Sequence, residues 1–457
     1  MASTSRRKFL VRLGALSAAP AALAAKTASP LPQWAADVLV IGGGTAGTIA
    51  AIQAGRLGAR TILVEAGSQL GGTTTTAGVD YPGLFHAWTK PIIAGIGWEL
   101  VTQTVELNGD TLPDFRQQTA ERHSRHQVRI CGPLYAALAE EACIQAGVQL
   151  RYYEFPLGVE AMADGWKVRL AGKGTQVEVA ARQLVDCTGN ASVVGMMGLP
   201  RRREAITQPG TLIYRLSGYD RDRVDLAALE AKAKEALQTG ALLPTDMNGG
   251  VRGFLASGGL NNLHILRADS STSELHTDAN IRGRQAVLRV MRFFKSQPGF
   301  EKLRVERLAP ETGIRETYRI VGETTITLDD YVTGRVFPDA VCFAFYPIDL
   351  HDEHGVRPQP LKEGVVPTIP LGALIPRGSR NLMVAGRCLS SDRLANSALR
   401  VQAPCMAMGQ VAGVTATLAA RRSTTPGKVP LAEIRRTLIE HGAIVPDTAP
   451  TAAGRRR

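Results

Sequence analysis

The chain has 457 residues, 44% of them hydrophobic, with 53 Lys+Arg against 41 Asp+Glu for a formal net charge of +12; it is too long for one ordinary core and too apolar for wholesale disorder. Eight of the positive charges lie at the ends (Arg6, Arg7, Lys8, Arg12, Lys26, Arg455, Arg456 and Arg457), leaving about +4 for the rest. That is an ordinary surface, and no basic stripe is interleaved with aromatics, so nucleic-acid binding is not expected.

The six cysteines (Cys131, Cys143, Cys187, Cys342, Cys388 and Cys405) form no CxxC pair and no Cys/His cluster at metal spacing. Zinc and dithiol chemistry are unsupported, and buried free thiols are expected. Ser5-Arg6-Arg7-Lys8-Phe9-Leu10 precedes a short, weakly apolar stretch with Ala22-Leu23-Ala24 as a small-residue cleavage site. Residues 1–30 thus resemble a twin-arginine export signal, which implies passage through the Tat translocase as a folded protein and a periplasmic or extracytoplasmic location. The stretch is interrupted by Pro20 and is too short to span a bilayer comfortably.

Asp37-Val38-Leu39-Val40-Ile41 reads as a strand buried on both faces and ends at Gly42-Gly43-Gly44-Thr45-Ala46-Gly47. A helix follows through Leu57, and Thr61 to Val64 forms a second strand ending in Glu65. In this βαβ unit Gly42 permits the tight turn, Gly44 lets backbone approach a pyrophosphate, and Gly47 allows close helix–strand packing. The helix N-terminus at Thr45 and Ala46 presents N–H groups to phosphate. Glu65 is placed to accept from both ribose hydroxyls, which disfavours a 2′-phosphate and hence NADP.

After Glu65 come Ala66 and the turn Gly71-Gly72-Thr73; a helix over 133–147, several strands and the run Val185-Asp186-Cys187-Thr188-Gly189 follow. Near the C-terminus a strand enters Gly386-Arg387-Cys388, and Arg400 precedes an apolar helix over 404–418, with Pro404 at a first helical position. Taken in this order, the blocks resemble the glutathione-reductase-like and fumarate-reductase-like flavoproteins, and most closely the FAD-dependent oxidoreductase branch that shares Gly-Arg-Cys and Cys-Met-Ala-Met-Gly-Gln. The resemblance covers about 36–420 and implies FAD held by Gly42, Gly44, Thr45, Ala46, Gly47, Glu65, Ala66, Gly71, Gly72, Thr73, Thr188, Gly189, Gly386, Arg387 and Arg400. The family normally continues Thr-Gly with aspartate, and Asn190 stands there instead.

The fold expected is α/β: a discontinuous Rossmann-like FAD domain over 34–84, 128–204 and 372–422, with a parallel sheet and a β-meander. An α+β substrate domain over 85–127 and 205–371 is inserted into it, and the tail 446–457 is expected to be disordered. Arg400 is the candidate for stabilising charge on a reduced flavin, and His86, Tyr346 and His351 are candidate substrate-side residues. Arg315 and Glu316 read as a structural ion pair. With no second GxGxxG, a built-in NADPH site is unsupported. The function expected is hydride transfer between flavin and a small hydroxylated or carboxylated substrate, with a quinone, a protein or oxygen as external acceptor. The alternative is an exported flavoprotein that modifies or matures a partner protein.

Overall fold

The computed structural model describes residues 31–116, 123–356 and 358–447. Residues 1–30, where an export signal is expected, and the tail from 448 onward lie outside the described residues.

The apolar run opens the first strand, β1 (Gln33–Ile41), which turns through the glycines into helix α1 (Thr45–Arg56) and returns as β2 (Thr61–Glu65). Helices α2 (Ile96–Leu107) and α3 (Gly132–Gln145) follow, then β3 (Gln149–Tyr152) and three antiparallel-linked strands, β4 (Phe155–Met162), β5 (Gly165–Gly172) and β6 (Thr175–Asp186). The chain then builds a second body with a two-stranded ribbon, β7 (Tyr214–Ser217) and β8 (Arg304–Leu308), and the long helix α4 (Ser273–Lys295). It returns as β9 (Leu382–Val384) and ends mainly in α5 (Gln402–Arg421).

Strands β3, β2, β1, β6 and β9 lie side by side in parallel, while β4 and β5 continue from β6 as an antiparallel meander. The fold is therefore mixed α/β with a Rossmann-like parallel core. Strand β6 explains how one sheet holds both patterns. Its first half pairs antiparallel with β5, and its end, Leu184–Asp186, pairs parallel with β9 along the same edge. Strand β1 starts at Gln33, ahead of the apolar run, because Gln33–Ala36 pairs with Glu178–Ala181 of that extended strand.

Helix α5 begins at Gln402, two residues before Pro404, so the proline is third in the helix. The first-turn N–H groups have no intrahelical acceptor, so losing one at the third position costs little. The helix is long and apolar enough to cross a membrane by length and composition, yet nearly all of it is buried inside the fold. Its small residues let it cross α1 closely: a Cβ at Gly409 would overlap the Ala46 carbonyl, and one at Gly413 would lie 2.5 Å from the Ala50 carbonyl oxygen. The apolar core falls into three parts, one packed on these helices, one between the sheet and its meander, and one in the second body. Residues from Leu212 to Ile314 make a core of their own. Segments 85–105 and 326–371, placed in the substrate domain on sequence grounds, contribute Phe85, Ile96, Tyr331, Phe345 and Ile369 to the core that packs on α1 and α5.

Candidate functional site

The glycine loop has the geometry that its residue types require. Gly42 sits at φ +100°, and a Cβ there would lie 2.5 Å from the Cys187 carbonyl oxygen. A Cβ at Gly47 would overlap the Gly42 carbonyl. Gly44 differs from both, since a Cβ there meets nothing within 4 Å. Bare backbone at Gly44 therefore faces open space, at the N-terminus of a helix with no side-chain cap and no acid in its first turn. That is the cradle a pyrophosphate needs.

Gly71 and Gly72 close the other side. Gly71 donates its N–H to the Gly43 carbonyl at 2.9 Å, and a Cβ at Gly72 would fall 2.9 Å from the Gly44 Cα. Thr73 accepts from the Val79 N–H, and Ala66 is exposed. Thr45 Oγ1 reaches the Gly71 carbonyl at 3.2 Å and the Thr74 hydroxyl at 3.3 Å, and Thr74 in turn donates to Gln402 Oε1 at 2.6 Å. This chain of contacts ties the loop to the start of α5. The Glu65 carboxylate accepts from Gly43 N at 2.7 Å and Gly67 N at 2.6 Å, and burial holds its pKa above the ordinary range. Each oxygen still has lone-pair capacity for a ribose hydroxyl.

The blocks at 188–190 and 386–387 meet beside this loop, where a Cβ at Gly386 would lie 3.4 Å from Ala46 Cβ. Asp186, fully buried, accepts from Thr188 N, Thr188 Oγ1 and Val194 N and so shapes the strand exit. Arg387 donates to the Gly189 and Ile314 carbonyls at 2.8 and 2.7 Å, and to Asn190 Oδ1 and Ser270 Oγ at 2.9 and 3.2 Å. Its guanidinium is thus committed to bracing the turn against the second body. Asn190 Oδ1 also accepts from Ser270 Oγ and Thr317 Oγ1, work that needs no charge at this position.

A second constellation lies at the other end of this path. Ala403 N donates to the Pro82 carbonyl at 2.8 Å, and a Cβ at Gly83 would meet both Val401 and Tyr346. Next to Val401, Arg400 pairs with Asp349 at 3.2 Å, and its Nε is buried without a hydrogen-bond partner among the described residues. Asp349 Oδ2 lies 3.2 Å from His351 Nε2, and His351 Nδ1 lies 3.2 Å from His264 Nε2. Tyr346 accepts from Gln127 Nε2 at 2.8 Å, while Tyr331 pins its backbone through bonds at 2.9 and 3.0 Å. Gln208 Oε1 accepts the His351 N–H at 3.2 Å.

Arg315 belongs to this group, contrary to its expected pairing with Glu316. Glu316 points away to Arg319 at 2.9 Å and Arg393 at 3.3 Å, whereas Arg315 donates to the Pro209 carbonyl and Thr211 Oγ1, both neutral. Burial and the neighbouring Arg400 cation pull the Arg315 pKa down to about 9. His351 and His264 are both held down at about 4, first by burial and next by Arg315. Asp349 lies below its usual range, its burial outweighed by His351, Arg400 and Arg315.

Arg400, Tyr346 and His351 are therefore brought together, and His86 stands apart. Its ring stacks on Phe115 at 3.8 Å and packs edge-on to Trp98, and burial followed by His126 pulls its pKa down to about 4. His264, Gln208 and Gln127 carry no local motif. The one sequence signal for His264 is a histidine between apolar neighbours, Leu263 and Ile265.

The model of the family described as FAD dependent oxidoreductase matches residues 37–438. Over 85 residues the chain is 42% identical to the nicotine dehydrogenase of Pseudomonas putida (strain DSM 28022 / S16), a stretch covering 17% of this chain and 18% of that protein. The chain thus matches less than a fifth of that relative's length. Among solved structures, it is similar to a geranylgeranyl bacteriochlorophyll reductase-like protein of Thermoplasma acidophilum, with TM-score 0.43 and 13% identity over 90% of this chain and 85% of that one. It is also similar to p-nitrophenol 4-monooxygenase of Pseudomonas putida DLL-E4, with TM-score 0.38 and 13% identity over 90% and 84% of the two chains. With the family model spanning both the glycine cradle and the Asp349 constellation, the chain belongs to the FAD dependent oxidoreductase family and is an FAD-dependent enzyme.

Proposed function

We propose that the protein is a dehydrogenase or reductase moving a hydride between FAD and a small substrate bearing a hydroxyl and a carboxylate, with an external acceptor completing the cycle. The observation that carries this reading is the charge balance around Asp349. Of two partly buried guanidiniums, Arg400 pairs with the Asp349 carboxylate while Arg315 bonds only neutral acceptors, and the two histidines beside them are held neutral at pH 7. An incompletely balanced cation in a poorly solvated site favours an anionic ligand, and a guanidinium binds a carboxylate in a fixed orientation. Bound FAD supplies the two-electron redox step. The protein's part is to orient the carboxylate at Arg315 and Arg400 and to handle the proton.

The test is anaerobic bleaching of the bound flavin across a panel of hydroxy acids, sugars and amines. Hydroxy acids are expected to bleach it and uncharged sugars to leave it oxidised. Bleaching by amines alone, or only by a co-purified protein, would replace this reading. We infer further, from Ser5-Arg6-Arg7-Lys8-Phe9-Leu10, that the enzyme is exported by the twin-arginine route and works outside the cytoplasm. Lysine at both Arg6 and Arg7 is expected to retain the protein in the cytoplasmic fraction.

A further inference from the structure

We propose that Trp88 is a strained catch that holds shut a local gate to the Asp349 constellation. The gate is the hairpin tip at 88–91, closed against the segment at 359–367. The proposal takes the constellation as the substrate side of the site and is independent of the class of substrate.

His86–Ala87 and Lys90–Pro91 pair as a minimal antiparallel hairpin, with Trp88 and Thr89 between them. The Thr89 N–H donates back to the Ala87 carbonyl at 2.8 Å, and Trp88, at the centre of this three-residue turn, has φ +60°. A γ-turn with positive φ is rare and strained, and here it is imposed on an indole-bearing residue. Such a conformation persists only where the surroundings hold it. Trp88 Nε1 donates to the Val365 carbonyl at 3.1 Å, and the indole packs edge-on to Phe345 with ring centroids 5.2 Å apart. Thr89, Lys90 and Pro91 are exposed, so the hold on the tip comes through the indole.

The bond to Val365 joins the two segments that flank Tyr346. On one side, the chain entering the hairpin passes Tyr346 at Gly83, where a Cβ would lie 3.8 Å from the ring. On the other, 359–367 runs beside the segment that carries Tyr346: Ile348 and Gln359 exchange backbone hydrogen bonds at 3.0 and 2.9 Å, and Ala344 N donates to the Pro367 carbonyl at 3.0 Å. Within the constellation, Arg400 Nε and Gln208 Nε2 are buried with no hydrogen-bond partner among the described residues. A ligand reaches such donors only when the surrounding wall moves.

Arg387 braces the sheet unit against the second body, which leaves the movement to a local segment. Releasing the indole breaks one hydrogen bond and relieves the turn at the same time, so the closed and open tips lie close in free energy. The base of the hairpin has room to follow, since Ile92 and Ile93 line a small cavity with Val341, Cys342, Val411 and Leu438.

The test uses the FAD-loaded enzyme and needs no substrate. Trp88→Phe keeps an aromatic ring and the strained turn but removes the indole N–H. Hydrogen exchange at 86–93 and at 359–367 should then rise together by about tenfold, the worth of one lost hydrogen bond, while the cradle at 37–65 stays as it was. Nitration of Tyr346 by tetranitromethane, read by peptide mass against the buried Tyr135 and Tyr214, should rise by a similar factor. The strain has its own readout: glycine is less stable than alanine at an unstrained position, whereas Trp88→Gly should melt at or above Trp88→Ala. Faster exchange confined to 86–93, or Tyr346 nitrated no faster than in the unmodified enzyme, would overturn the gate. A lower melting point for Trp88→Gly than for Trp88→Ala would overturn the catch. Failure of hydroxy acids to bleach the flavin would remove the substrate reading alone, and exchange and nitration would still decide the gate.

Discussion

The two ends of the site are built on opposite principles. The glycine cradle is made of backbone: Gly42, Gly44 and Gly47 lie within six consecutive residues and act through the space that a missing Cβ leaves. The Asp349 constellation is made of side chains drawn from His264, Arg315, Tyr346, Asp349, His351 and Arg400, which meet only in the folded chain. A site that binds through backbone leaves its imprint in a short string of sequence. One that binds through side chains from scattered segments does not.

Substitution can break this comparison, and the largest effect is expected at Gly47. Its Cβ would overlap a carbonyl inside the strand–helix turn, so Gly47→Ala should cost at least about 4 kcal/mol and abolish soluble, flavin-loaded protein. Gly44→Ala adds the same methyl group to open space. It should leave the thermal transition of the flavin-free protein in place while flavin content after purification falls severely. Equal loss of stability in the two variants would show that the cradle is a packing feature and not a binding one.

At the other end, Arg315→Met should lower kcat/KM for a carboxylated substrate by about 2–5 kcal/mol, with flavin content unchanged. The stability of the flavin-free protein should hold or rise, because an incompletely balanced cation is removed. Lost flavin in this variant would move Arg315 from the substrate side to the cofactor side. Glu65→Gln should weaken FAD by about 1.5–3 kcal/mol, as measured by flavin dissociation, because two backbone N–H groups lose a charged acceptor and the ribose a strong one.

The smallest effect concerns pH. His86, His264 and His351 are each held at about 4, below the ordinary value of 6.5. As pH falls the unfolded chain therefore binds these protons first, and the stability present above pH 6.5 is lost progressively toward pH 4. Glu65 and Asp186, held above their usual range, act in the opposite sense. The readout is thus the difference between variants: His86→Phe, which keeps an aromatic ring on Phe115, should flatten the fall in urea midpoint between pH 7 and 5.

These contrasts bear on what can be read from sequence. The β1–α1–β2 unit, Glu65 and the Gly71-Gly72 turn were legible because strand, turn and helix periodicities are local and each glycine has one steric reason to be there. Arg400 and the Tyr346–His351 segment could be picked out as chemically capable residues, but their meeting depends on tertiary packing. Arg315 was misjudged for the same reason. Next to Glu316 in sequence it suggests an ion pair, and only the partners each finds in the folded chain show that the two side chains part, one to Arg319 and Arg393, the other to the Pro209 carbonyl and Thr211 beside Arg400. The division at Leu212–Ile314 was equally hidden, since apolar residues of 326–375 look the same whether they pack on α5 or on α4.

Arg387 carries a consequence for how the enzyme works over time. One guanidinium bonds the Gly189–Asn190 turn of the sheet unit and also Ser270 and Ile314 of the second body. Opening a cleft by swinging the two bodies apart would break the bonds to Ile314 and Ser270 together and leave the guanidinium with only the acceptors of its own turn, the Gly189 carbonyl and Asn190 Oδ1. The two bodies should therefore turn over as one rigid frame, with substrate entering by local loop motion and not by domain closure, and structures with and without substrate should superpose across this joint.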